Sequence, residues 1–77
     1  MIEEEDIILA TSDVSALIPE GTRGQVHQVY VSHPRSYLVE FMDEEDTPID
    51  TVEVDEGCIE LESKTGGKVY LNVARRP

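Results

Sequence analysis

The 77-residue sequence predicts an all-β domain: a small barrel of five to six strands with a C-terminal hairpin. Three observations predict it. No stretch sustains a helical period, several short runs alternate apolar and polar residues, and glycine, proline, aspartate or serine punctuates those runs. Closing many short strands into a barrel removes the free sheet edges that otherwise recruit other chains. At this length the chain is one domain, residues 1–77, near the lower limit for an unaided core.

The first expected strand is Ile7–Ala10. The segment Asp13–Pro19 is open between one helical turn and an irregular loop, with Val14, Leu17 and Ile18 available to pack down on the barrel. Gly21 and Gly24 then turn the chain into the strand Gln25–Val31, with positive φ expected at one or both glycines. Val26 lies out of phase with Val29 and Val31, which predicts a bulge near His27 and Gln28; without it the apolar set would face water. Ser32–Arg35 is a connection in which Pro34 fixes φ and donates no hydrogen bond.

In the strand Ser36–Met42, Tyr37, Val39 and Phe41 share the inward face. The run from Asp43 to Pro48 reads as a solvated turn. In the strands Thr51–Val54 and Cys58–Ser63, Val52, Val54, Ile59 and Leu61 point inward, so Glu53, Glu60 and Glu62 point outward. Gly66-Gly67 suits a two-residue hairpin turn that pairs the fifth strand with the last, Lys68–Val73. There Val69 and Leu71 face in and Tyr70 faces out.

The stretches EGTRGQVHQVY, SYLVEF and DTVEVDEGCIEL resemble a bacterial family of short SH3-like barrel proteins, known only as a domain of unknown function and related in outline to KOW-type barrels. The resemblance spans residues 5–61. It rests on Pro19, Glu20, Gly21, Gly24 and Val26, and on Tyr37, Val39, Glu40 and Phe41. It implies that the barrel is SH3-like, and it carries over no activity, cofactor or catalytic residue.

Charge separates the function classes. Seventeen acids stand against six lysines and arginines, a formal charge of −11. All the acids fall within residues 1–62, where only Arg23 and Arg35 oppose them, for a local charge of −15; residues 63–77, with Lys64, Lys68, Arg75 and Arg76, carry +4. So acidic a body repels phosphate and attracts basic partners. RNA-binding barrels use basic loops and exposed aromatic rings, and this chain has three tyrosines, one phenylalanine and no tryptophan. Direct nucleic-acid binding is therefore not expected.

Catalytic, cofactor and metal sites are not expected either. Asp43, Glu44, Glu45, Asp46 and Asp50 lack the glycine and flanking helices of an EF-hand, and Pro48 interrupts them. His27, His33 and Cys58 match no zinc or cysteine–histidine spacing. The lone cysteine excludes an internal disulfide, and Cys58 is expected on the outer face or at a strand end. With no apolar run of about 18 residues and no leader pattern, no membrane partner is expected and the default compartment is the cytoplasm.

The function expected is a non-catalytic interaction or regulatory module that presents an acidic surface to a basic protein. If the strands Thr51–Val54 and Cys58–Ser63 are neighbours, Glu53, Glu60 and Glu62 form one patch, with Asp55 and Glu56 at its rim. The turn residues Asp43, Glu44, Glu45 and Asp46 extend it, and Tyr70 adds an aromatic anchor. The competing role for these acids is internal pairing with Lys64, Lys68, Arg75 and Arg76. Two other readings stay open: an acidic nucleic-acid mimic that blocks a nucleic-acid-handling protein, and an accessory barrel of a larger enzyme.

Overall fold

The computed structural model describes residues 1–64. Five antiparallel strands form one sheet in the order β4-β3-β2-β1-β5: β1 (Ile7–Ala10), β2 (Arg23–Tyr30), β3 (Ser36–Met42), β4 (Pro48–Asp55) and β5 (Ile59–Ser63). The expected Gly66-Gly67 turn and Lys68–Val73 strand lie outside the described residues.

The connection between the two edge strands shows why the sheet curls. A single 3-10 turn, Glu56–Cys58, separates the end of β4 from the start of β5. In a flat five-stranded sheet the edges would stand about 19 Å apart, whereas the four steps from Asp55 to Ile59 reach at most about 14 Å. The sheet therefore rolls into a small barrel-like fold, and Val54 from one edge and Ile59 from the other enter the same core cluster. The 3-10 turn is pinned from two sides: Glu56 N donates to Arg35 O at 3.0 Å, and Thr11 N donates to Cys58 O at 2.8 Å.

Strand parity fills that core. Ile8, Ala10, Ile18, Val26, Tyr37, Val39 and Phe41 are all buried. The bulge falls at the expected place, since Val26 pairs Val39 and Gln28 pairs Leu38, leaving His27 as the extra residue. Beyond it Val29 returns to the inner side opposite Tyr37.

Three expectations need correction. Leu61 is 39% exposed rather than inward: β5 is an edge strand whose register with β1 breaks between Ile7 and Ile8, so of the pair only Ile59 reaches the core. Val31 is exposed, because β2 ends at Tyr30 and Ser32 N turns back onto Tyr30 O at 3.1 Å. β4 starts at Pro48 rather than Thr51, since an edge strand tolerates proline's missing N–H. The expectation of positive φ at one or both glycines is met at Gly21, whose φ is 92°.

Gly24 is needed for a different reason. It sits between β1 and β3, opposite Ile8 and Phe41. A Cβ there would lie 2.6 Å from Val39 Cγ1, 3.0 Å from Glu40 O and 3.0 Å from Phe41 Cδ1. The missing side chain makes the space that the fully buried Phe41 ring occupies.

Candidate functional site

The outward carboxylates of Glu53 and of Glu60 and Glu62 stand on β4 and β5, the two edge strands of the sheet. They are not hydrogen-bonded neighbours, so the strand pairing on which the single patch of Glu53, Glu60 and Glu62 was conditional is absent among the described residues. Glu53 is instead engaged by β3, where Ser36 Oγ donates to its Oε2 at 2.7 Å. Glu62 pairs across the sheet with Arg23 Nε at 3.2 Å. Both strands do point the acids outward as parity requires: Glu53, Glu60 and Glu62 are exposed.

What remains is a run of exposed carboxylates on and around edge strand β4, with Glu53 and Asp55 on its outward face and Asp50 in phase with Val52 and Val54. It begins in the turn Asp43–Thr47, whose shape is set by Asp43: its Oδ1 accepts from Glu45 N at 2.8 Å and Thr47 N at 2.9 Å. Asp46 takes a positive φ of 64° there, a conformation that aspartate tolerates better than most residues. Asp43, Glu44, Glu45, Asp46, Asp50, Glu53, Asp55 and Glu56 are all exposed and follow one another from the turn, along β4 and into the 3-10 turn. Charges on an edge strand also discourage pairing with another chain's backbone. Tyr70 lies outside the described residues.

The cations take fixed places. Lys64 Nζ donates to Asp6 Oδ2 at 2.6 Å and to Met1 O at 2.7 Å, and it lies 3.8 Å from Glu3 Oε1. Asp6, 1% exposed, also accepts from Glu3 N at 2.8 Å. The Asp6 hydrogen bond, helped by the charges of Asp6 and Glu3 and opposed by burial, raises the Lys64 pKa. Lys64 therefore neutralises the N-terminal segment and not the β4 border. Lys68, Arg75 and Arg76 lie outside the described residues.

Sequence reading missed the Asp6–Lys64 pair. Asp6 closes the run Glu3-Glu4-Glu5-Asp6, in which nothing local distinguishes the buried acid from the exposed ones, and its partner is 58 positions away. It also missed the apolar groove lined by Leu9, Leu17 and Ile49 at one end of the barrel, since those residues belong to three separate elements.

His27 Nε2 stands 2.9 Å from Glu40 Oε1. Cys58 closes the 3-10 turn, half-buried against the core, at a strand end as expected. Among the described residues no group of three or more His, Cys, Asp or Glu side chains converges as a metal site. No helix there is long and apolar enough to cross a membrane.

Fold and surface together define a small all-β, barrel-like domain with an acidic edge. Comparisons with family models, with curated proteins and with solved structures return no match for this chain. A direct expectation follows from the charge layout. At physiological salt the protein should leave single- and double-stranded DNA and RNA unshifted in fluorescence anisotropy, because its six lysines and arginines are outnumbered by seventeen acids and few cations are at hand to displace counterions. Salt-sensitive micromolar binding would contradict this and direct attention to Arg23 and Arg35.

Proposed function

We propose that this domain is a non-catalytic interaction module whose acidic β4 border receives a basic protein partner. One observation carries the reading: eight carboxylates between Asp43 and Glu56 are exposed, while Arg23 is paired with Glu62 and Lys64 with Asp6, and Arg35 adjoins the end of β4, where its carbonyl accepts from Glu56 N. Like charges held close repel one another by a few tenths of a kcal/mol per neighbouring pair, and a basic surface relieves that repulsion. Steering by such a border accelerates encounter and weakens with salt. The resemblance of the glycine turn and the Tyr37–Phe41 strand to short SH3-like barrels supports the scaffold role and supplies no chemistry.

The test is capture from a native extract by the full chain and by a variant with Asp43, Glu44, Asp46, Asp55 and Glu56 changed to Asn or Gln. Partners should be basic, should elute with moderate salt and should be lost with the variant, whose unfolding midpoint is expected to stay within a few degrees. Equal capture by both chains would refute the acidic border as the docking surface.

A further inference from the structure

The Thr11–Thr22 loop is long but not loose. Ser15 and Ile18 form an isolated antiparallel bridge, Val14 N donates to Ile18 O at 2.9 Å, and Gly21 N donates to Ala10 O at 2.8 Å. Asp13 Oδ1 closes the base by accepting from Glu20 N at 2.8 Å. Ile18 is the inward anchor, at 0% exposure, and its neighbour Leu17 is thereby turned outward, at 70%. Leu17 N donates to Ser15 Oγ at 3.3 Å, so the backbone that presents this leucine is held in place.

A single exposed leucine needs no explanation. This one borders a groove of about 490 Å³ between the loop and the β3–β4 turn, whose apolar lining also includes Leu9, Pro19, Met42 and Ile49. The rim is acidic. Glu20, Asp43 and Glu44 border the groove together with Arg23, and Arg23 is already paired with Glu62. The Asp43 carboxylate is fixed by the turn it holds, and the Glu20 and Glu44 carboxylates have no partner among the described residues.

We propose that this groove is the specificity pocket of the acidic face: it docks a peptide segment of a protein partner in which one or two apolar side chains are flanked by lysine or arginine. The proposal rests on the acidic-border reading and narrows it to a place. Charge complementarity selects this occupant over a second copy, because the described residues carry seventeen acids against Arg23, Arg35 and Lys64 and two such surfaces repel. The apolar floor fits a side chain, the three carboxylates fit its basic flanks, and the hydrogen-bonded loop lowers the ordering cost of binding.

The experiment uses the ¹⁵N-labelled full chain, titrated with two decapeptides that share a central Leu-Pro-Leu and carry either lysine or glutamate flanks. The lysine peptide should shift the amides of Leu17, Gly21, Thr22, Asp43 and Glu44, and the glutamate peptide should bind at least about tenfold more weakly, as two or three rim ion pairs imply. Leu17→Asp, at a solvent-facing position, should leave the unfolding midpoint unchanged and abolish those shifts.

Shifts confined to Asp50–Glu56 would overturn the groove and leave the acidic border standing. Equal binding of both peptides would overturn the charge selection, and no shift with either would overturn the pocket, while the border keeps its own test in the capture experiment. Two further results would reassign the groove and overturn the proposal. One is a Leu17→Asp effect on the amides of residues 65–77 without peptide, which would give the groove to the chain's own basic end. The other is a dimer in sedimentation that Leu17→Asp dissociates.

Discussion

Replacing Gly24 with valine is expected to destabilise the domain by about 3 kcal/mol, the upper part of the range for overpacking a filled core. For a chain of this size that lowers the thermal midpoint by roughly 15 °C, measurable by circular dichroism. The contacts decide the magnitude. The first added carbon already meets Val39 Cγ1 at 2.6 Å and the backbone oxygen of Glu40 at 3.0 Å, and that backbone lies in the middle of the sheet, where β3 is bonded to both β2 and β4. Gly24→Ala should reproduce much of the loss. Gly21→Ala is the control: its Cβ meets nothing within 4 Å, but its φ of 92° is unfavourable for any L side chain, at about 1 kcal/mol. If both alanine variants lost the same amount, close approach at Gly24 would not be the reason for the glycine.

Asp6→Ala should cost about 2 kcal/mol, because it strips the buried acceptor from Glu3 N and Lys64 Nζ together and leaves a cavity beneath the N-terminal segment. Asp6→Asn keeps an acceptor for Glu3 N and loses the charge, so it should fall between wild type and alanine. The pair also has a pH signature. Lys64 binds its proton more tightly in the folded chain than in the unfolded one. Its contribution is therefore complete below the ordinary lysine value and disappears as pH rises through the raised folded value. Denaturant midpoints of the wild type should accordingly drop in strongly alkaline solution by more than those of Lys64→Met. Parallel alkaline profiles for the two chains would show that the pair adds nothing to stability.

Much of the barrel was legible because strands of period two write their burial directly into the residue order. Tyr37, Val39 and Phe41 alternate with polar or half-exposed neighbours, and all three are buried. The phase break between Val26 and Val29 was enough to locate the bulge that the β2–β3 register contains. Leu61 shows the limit of such reading: its parity is that of Ile59, yet burial also needs an element lying over the strand, and parity cannot supply one.

Residue order was enough to specify the strand-dominated fold, the bulge, the outward direction of Glu53, Glu60 and Glu62, and the overall excess of carboxylates. Each depends on residues close together in the chain, where backbone geometry fixes relative orientation. Which strands pair and which charges meet depends on the closed fold. It set β4 and β5 at opposite edges, took Glu62 to Arg23 and Asp6 to Lys64, and brought Leu17 and Ile49 into the lining of one groove. The order in which strands pair is set by the whole core closing at once, so contacts between distant residues are a property of the closed barrel and are written in no single segment.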